Sequence, residues 1–106
     1  MSNLVTLCKV DEVKEDAPLS VTLEGFPLLA VYEYEGEYFV TDNLCTHGMA
    51  VMTEGYQDGA EIECPFHGGA FSIKTGEATA APCHIALKSY PVTVEGENIC
   101  IAAAEE

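Results

Sequence analysis

Arginine is absent from this sequence, and lysine is rare. Four lysines stand against 18 acidic residues, which gives a formal net charge of −14. Nucleic acid is therefore not expected as a partner, because binding phosphates requires clustered lysine and arginine side chains. An anionic membrane surface is disfavoured for the same reason. Such an acidic excess keeps a protein in solution, and it can also steer the protein toward basic surfaces of other proteins.

Long apolar runs are also missing. No stretch approaches the roughly 20 residues that a membrane-spanning helix needs, and the first residues lack the pattern of a secretory signal. A cytoplasmic protein is therefore expected, and its five cysteines should not form a disulfide framework. The length of 106 residues predicts one domain over 1–106, and the 48% hydrophobic content argues against disorder.

Helical periodicity is scarce, and only residues 11–15 suggest a single turn. Short alternating or apolar runs recur instead, which predicts an all-β fold. Turns are expected where glycine permits positive φ, at Glu24-Gly25, Glu35-Gly36 and Glu95-Gly96. The predicted strands cover residues 5–10, 19–23, 27–34, 37–41, 89–94 and 99–102.

The segment from about residue 43 to 84 has a different composition. It is rich in Gly, Pro, Cys and His, and its strand-like pieces, at 60–64 and 70–73, are short. This pattern predicts a loop-rich unit inserted into the β scaffold, which is where binding sites are commonly built.

Two Cys–His pairs lie in this segment, Cys45-Thr46-His47 and Cys64-Pro65-Phe66-His67. Zinc accepts two cysteines and two histidines, but zinc fingers usually pair like with like, and Pro65 disfavours a helix around the second pair. A two-iron cluster needs four protein ligands, two on each iron. If each loop places its Cys on one iron and its His on the other, both loops hold both irons. The mixed pairs favour the iron–sulfur cluster, and a zinc-stabilised binding module remains the alternative.

The motifs Cys45-Thr46-His47-Gly48 and Cys64-Pro65-Phe66-His67-Gly68-Gly69 resemble the two cluster-binding motifs of Rieske proteins. The resemblance implies an antiparallel β-sandwich or barrel that carries a cluster-binding subdomain at about 43–84. It also implies one [2Fe–2S] cluster, with Cys45 and Cys64 on the buried iron and His47 and His67 on the outer iron. Three glycines in the motifs would let backbone N–H groups approach the sulfides, namely Gly48, Gly68 and Gly69.

The sequence departs from the high-potential Rieske proteins of respiratory complexes. Those proteins join an extra Cys in each motif as a disulfide, and the matching positions here are Ala50 and Phe66. They also place Ser and Tyr hydroxyls near the cluster, where this chain has Gly69 and Phe71. Without these donors the reduced state loses stabilisation, which predicts a potential at the low end of the Rieske range of about −150 to +300 mV.

The chain resembles the Rieske ferredoxins of multicomponent aromatic-ring-hydroxylating dioxygenases. The resemblance implies a monomeric one-electron carrier, not an enzyme, between an NADH-dependent flavoprotein reductase and a terminal Rieske non-haem iron oxygenase. A small Rieske subunit of another oxidoreductase complex is the alternative within the family. Acidic residues between the motifs are candidates for steering partners, namely Glu54, Asp58, Glu61 and Glu63.

The remaining cysteines and the third histidine are expected to have structural or supporting roles. Cys8 and Cys100 lie within apolar strands and should pack as small hydrophobic residues. Cys83 and His84 follow Pro82 in what resembles a third loop at the cluster.

Overall fold

The computed structural model describes residues 4–15, 17–44, 50–65, 69–81 and 85–102. Within these ranges the chain forms eleven strands and two short 3₁₀ turns, at Val10–Glu12 and Met52–Glu54. All strand pairs are antiparallel, which confirms the predicted all-β class. The strands are β1 (Leu4–Lys9), β2 (Leu19–Val21), β3 (Leu29–Tyr34), β4 (Glu37–Asp42), β5 (Tyr56–Asp58), β6 (Glu61–Glu63), β7 (Ala70–Ser72), β8 (Ala78–Ala80), β9 (Ser89–Tyr90), β10 (Val92–Glu95) and β11 (Asn98–Ala102).

The strands make three sheets, in the orders β1-β11-β10, β2-β3-β4-β9 and β5-β6-β7-β8. The first two sheets form the scaffold. The third, which we call the insert sheet, lies wholly within the segment that was predicted to be an insertion. The predicted pieces at 60–64 and 70–73 correspond to β6 and β7, whereas β5 and β8 were not predicted. Their sequences, Tyr-Gln-Asp and Ala-Thr-Ala, have little strand character, and they become strands by pairing with β6 and β7.

Strand β3 separates two hydrophobic cores. Leu29 and Val31 face one core, Ala30 and Tyr32 face the other, and all four are fully buried. Alternate residues of a strand point to opposite faces, so a strand covered on both sides needs a continuous apolar run. The scaffold core contains Cys8, Val13, Val21, Leu29, Val31, Val40, Ile99 and Ile101. The insert core contains Ala30, Tyr32, Ala50, Met52, Ile62, Cys64, Phe71, Ile73 and Leu87.

Two of the three predicted turns close tight hairpins. Between β3 and β4, Glu35 and Gly36 both have positive φ, 55° and 82°, as a two-residue type I′ turn requires. Gly96, with φ of 64°, closes the hairpin between β10 and β11. The third predicted turn is also present, because the Phe26 N–H donates to the Leu23 carbonyl at 3.1 Å across Glu24 and Gly25. Gly25 has φ of 88° but lies in the longer connection of residues 22–28 between β2 and β3.

The predicted strand at 89–94 is wrong as a single element. Pro91 divides it into β9, which pairs with β4, and β10, which pairs with β11 in a different sheet. Proline has no N–H for a ladder, so the chain passes from one sheet to the other at this residue.

Helical structure in the described ranges is limited to the two 3₁₀ turns. The first replaces the turn expected at 11–15, and the Lys9 N–H there donates to the Glu12 carboxylate at 2.9 Å. Among the described residues no helix is both long and apolar enough to span a bilayer.

Candidate functional site

One row of residues crosses the insert sheet at its end. Tyr56 pairs with Glu63, Glu63 with Ala70, and Ala70 with Ala80. The chain enters β5 at this row from residues 50–55, passes from β6 into residues 64–69, and leaves β8 at residue 81. Because neighbouring strands are antiparallel, these three connections attach to the same end of the sheet. We call this row the site end of the insert sheet.

The second Cys–His motif begins at the site end. Cys64 follows β6 directly, and its backbone N–H donates to the Gly69 carbonyl at 2.7 Å. This bond joins the chain on the two sides of residues 66–68, and we call this junction the stem of the second loop. The Cys64 side chain is 2% exposed and belongs to the insert core, together with Met52 and Phe71. The structure therefore places one candidate thiol in a dry environment at the base of its loop.

The first motif leaves the scaffold at the end of β4 and returns toward β5. On the two sides of residues 45–49, Leu44 and Val51 form an antiparallel bridge, and the Met52 N–H donates to the Asn43 carbonyl at 2.6 Å. Ala50 and Met52 then enter the insert core, in which Cys64 also lies. The described stems of both motif-bearing loops are thus in the same core.

Gly55 allows the returning first loop to lie directly on the second. A Cβ at this position would overlap the Glu63 carbonyl oxygen and would crowd Pro65. The Gly55 N–H donates to the Met52 carbonyl at 2.8 Å, which ends the second 3₁₀ turn. The stem of one loop therefore packs against the stem of the other with no side chain between them.

The chain leaves β8 at the same end, and beyond residues 82–84 it is held at Leu87 by Gly76, which lies in the turn between β7 and β8 at the opposite end of the sheet. The Leu87 N–H donates to the Gly76 carbonyl at 2.7 Å, and a Cβ on Gly76 would overlap the Leu87 carbonyl oxygen. Gly76 also has φ of 84°, a conformation that favours glycine. Cys83 and His84, expected near the site, lie outside the described residues.

Three of the four predicted ligands, Cys45, His47 and His67, also lie outside the described residues, as do Gly48, Phe66 and Gly68. Within the described ranges no group of three Cys, His, Asp or Glu side chains converges on a metal position. The fit to a two-iron cluster therefore depends on the stems and on Cys64. A buried sulfur donor, two loop stems in contact and glycines at their junction fit a group held between two loops.

Residues that the sequence did not mark as functional fix the loop stems and the position of Leu87. Asn43 is fully buried and bonds to both sides of the first loop, and Gly55 and Gly76 permit close backbone approach. The only sequence signal for Asn43 was a polar residue after an apolar strand. Nothing in the sequence indicated which backbone would lie against either glycine.

The two other cysteines behave as predicted. Cys8 on β1 and Cys100 on β11 are buried, and the Cys100 thiol lies 3.5 Å from the Thr6 hydroxyl. Burial raises the pKa of the Cys8 thiol to about 11, and Glu12 and Cys100 add to the shift.

The four acidic residues between the motifs occupy opposite ends of one hairpin. Glu63 belongs to the site-end row and Glu54 immediately precedes Gly55, whereas Asp58 and Glu61 pair beside the turn at the far end. Glu54 and Glu63 line a groove of about 340 Å³ next to Cys64, together with Gly55, Tyr56 and Pro65. Tyr56 is 63% exposed in this groove.

Large apolar side chains are also exposed beside the loop stems. Leu44 directly precedes the first loop and Ile85 directly follows residues 82–84, and they are 41% and 57% exposed. Tyr56, on the site-end row, is a third exposed apolar side chain.

Comparison with known proteins agrees with the resemblance found in the motifs. Residues 3–91 match the sequence profile of the Rieske [2Fe-2S] domain. The ferredoxin component of the naphthalene 1,2-dioxygenase system of Pseudomonas aeruginosa is 51% identical over 90 residues, which cover 85% of this chain and 86% of the relative. The solved structure of the Sphingomonas yanoikuyae B1 ferredoxin superposes with a TM-score of 0.95 and 57% identity, covering 96% of this chain and 100% of that one. A chain from the complex of reduced oxygenase and oxidized ferredoxin in carbazole 1,9a-dioxygenase has a TM-score of 0.89 and 34% identity, covering 97% and 95%.

Proposed function

Since this chain belongs to the Rieske [2Fe-2S] domain family, we propose that it serves as the ferredoxin of a multicomponent aromatic-ring-hydroxylating dioxygenase. It is an electron carrier and not a catalytic enzyme, and its cofactor is one Rieske-type [2Fe–2S] cluster. It delivers electrons to a terminal Rieske non-haem iron oxygenase. The proposed electron donor is a flavoprotein reductase that oxidises NADH. The observation that carries the proposal is the attachment of both motif-bearing loops to one end of the insert sheet.

We assign the ligands as Cys45, His47, Cys64 and His67. The position of Cys64 supports this assignment, because its buried side chain lies where the two loop stems meet. The neighbouring glycines let backbone approach without interposed side chains. When bound, the cluster takes up and releases one electron at a time. The cluster-binding subdomain, proposed at about 43–84, then corresponds to the insert sheet and the loops at its site end.

The site end is also the proposed contact with redox partners. Leu44, Tyr56 and Ile85 provide exposed apolar area around the loop stems. A carrier must leave each partner after electron transfer, so a small contact of this kind suits it better than an extensive one. Glu54 and Glu63 beside Tyr56 would favour a partner with basic residues at its docking surface.

We retain a cytoplasmic monomer as the proposed state of the protein. Cys8 and Cys100 are buried thiols, which suits a reducing compartment. The 14 excess negative charges oppose self-association of like surfaces. Sedimentation at working concentration tests the monomer.

The function is tested by metal analysis, spectroscopy and reconstitution. We expect two irons and two acid-labile sulfides per chain, and an electron paramagnetic resonance spectrum of mixed His/Cys ligation after reduction. The reduced protein should then be reoxidised by a terminal aromatic-ring dioxygenase during turnover. A colourless protein with one zinc and no inorganic sulfide after anaerobic reconstitution would contradict the proposal.

A further inference from the structure

We propose that Asn43 is a positioning residue, whose side chain sets the place of the first ligand loop relative to the scaffold and to the second loop. Asn43 lies two residues before Cys45 and is fully buried. A buried amide must satisfy its hydrogen-bonding groups within the protein. The partners that it finds lie on both sides of the loop.

Toward the scaffold, Asn43 is tied to β2 and to the start of β3. Its backbone N–H donates to the Leu28 carbonyl at 2.8 Å. Its side-chain Nδ2 lies 3.1 Å from the Ser20 hydroxyl and 3.3 Å from the Leu29 carbonyl oxygen. These bonds hold the departing end of the first loop against β2 and the start of β3.

Toward the returning end of the loop, Asn43 bonds to Met52 and Thr53. Its carbonyl accepts from the Met52 N–H at 2.6 Å, and its Oδ1 accepts from the Thr53 N–H at 2.9 Å. Nδ2 also lies 3.1 Å from the Thr53 hydroxyl, so its two hydrogens are shared among three acceptors. One residue therefore holds the outgoing and the returning chain together and fastens both to the scaffold.

Only an amide can make this set of bonds. The side chain must accept at Oδ1 and donate at Nδ2, so a carboxylate lacks the donors and an apolar residue lacks both. Removing the amide leaves the Thr53 N–H and the Leu29 carbonyl without the side-chain partner that each now has.

The position of the returning chain also decides how the first loop meets the second. Met52 packs with Cys64 in the insert core, and Gly55 lies on the Glu63 carbonyl. A shift at residues 52–53 is therefore transmitted to the stem from which Cys64 projects. The inference rests on the proposed function in one respect, namely that both loops supply ligands to one cluster.

The test compares Asn43→Ala and Thr53→Val with Thr53→Ser and Gln57→Ala in the cluster-loaded protein. Thr53→Val removes only the hydroxyl that Nδ2 reaches, and Thr53→Ser keeps it. Gln57 is the matched control, because it is also a buried amide that joins the insert to β3. Its Nε2 donates to the Glu33 carbonyl at 2.9 Å and the Gly59 carbonyl at 3.1 Å, near the opposite end of the sheet.

Three quantities are measured for each protein: resistance to urea, the rate of iron loss to a chelator, and the paramagnetic resonance spectrum of the reduced state. We expect Asn43→Ala and Thr53→Val to lose iron about tenfold faster than the parent and to shift the spectrum. Gln57→Ala should lower urea resistance while leaving the rate of iron loss and the spectrum near those of the parent. Thr53→Ser, which keeps the hydroxyl, should have the parent's rate of iron loss and the parent's spectrum.

Equal iron loss and unchanged spectra in the Thr53→Val and Gln57→Ala proteins would overturn the role of Asn43. If Asn43→Ala does not fold, the rate of iron loss and the spectrum of Thr53→Val decide the question. A parent protein that binds no cluster would instead overturn the proposed function, so the two failures are distinguishable.

Discussion

The Cys64 N–H donates to the Gly69 carbonyl across the stem of the second ligand loop, at 2.7 Å. The backbone at position 69 is thereby held beside the backbone of Cys64. Phe71, two residues further on, is fully buried in the same core as Cys64. The two positions at which high-potential Rieske proteins have hydroxyl side chains therefore lie in the part of the fold that contains Cys64, and the low potential stays a prediction.

Gly69→Ser and Phe71→Tyr should each raise the reduction potential. A hydroxyl near the ligand sulfur stabilises the more negative, reduced state, and a difference of about 1 kcal/mol corresponds to roughly 40 mV for one electron. Protein-film voltammetry measures the change. Phe26→Tyr is the control, because Phe26 packs beside the scaffold core. The hydroxyl argument fails if neither site-end variant differs from this control.

The ligand assignment predicts which histidines the cluster needs. His47→Ala and His67→Ala should each lose most of the iron, because an open coordination position exposes the cluster to water and oxidation. His84→Ala should retain iron and sulfide at the level of the parent. Iron and sulfide determination after anaerobic purification gives the result, and retention of a native spectrum in either His47→Ala or His67→Ala would contradict the assignment.

Removing acidic side chains at the site end should slow electron transfer to a basic partner more than removing them elsewhere. The double variant Glu54→Gln, Glu63→Gln and the double variant Asp58→Asn, Glu61→Gln change the net charge equally and lie on the same hairpin. Asp58 and Glu61 lie about 7 Å further from the site end along the strands. This distance is close to the Debye screening length at physiological salt, so their effect on a partner at the site end should be weaker. Stopped-flow reduction and reoxidation at two ionic strengths measure the rates. Equal slowing by both variants would indicate that only net charge matters.

Gly76→Ala should destabilise the fold far more than Gly25→Ala. Both glycines have similar positive φ, 84° and 88°, so both variants carry the same backbone strain of about 1 kcal/mol. Only at Gly76 does a Cβ meet backbone, the Leu87 carbonyl, and the collision should bring the total to about 3 kcal/mol. Urea unfolding of the two variants measures the difference. Similar losses of stability in the two variants would show that the backbone at Leu87 moves to accommodate the added methyl group.

The buried Cys8 thiol should make the protein less stable in alkali. Its pKa is raised to about 11 in the folded state, so the folded state keeps the proton that the unfolded chain releases from about pH 9. The free energy of unfolding therefore has its full contribution from this thiol below pH 9. It decreases by about 2 kcal/mol as the pH rises to 11. Urea unfolding of the parent and of Cys8→Val across pH 8–11 isolates this thiol, because Tyr32 and Tyr90, whose pKa values are also raised, are present in both. A pH-independent difference between the two proteins would contradict the prediction.

Much of the scaffold was predictable because its determinants are local. The first four residues of β3 are a continuous apolar run, and Glu35-Gly36 adopts the positive φ that a tight turn needs. The two Cys–His motifs were recognisable because each places its candidate ligands within four residues of sequence. The strands β5 and β8 of the insert sheet could not be predicted from local sequence, because they become strands only by pairing with β6 and β7.

By itself the sequence determined the all-β class, the acidic charge, the ligand motifs and the family that they indicate. These follow from side-chain chemistry and from short-range periodicity. Tertiary structure alone decided that β3 divides two cores, that Pro91 passes the chain between sheets, and that Asn43 joins both ends of the first ligand loop. Each of these depends on contacts between residues far apart in the chain, whose partners no local pattern specifies.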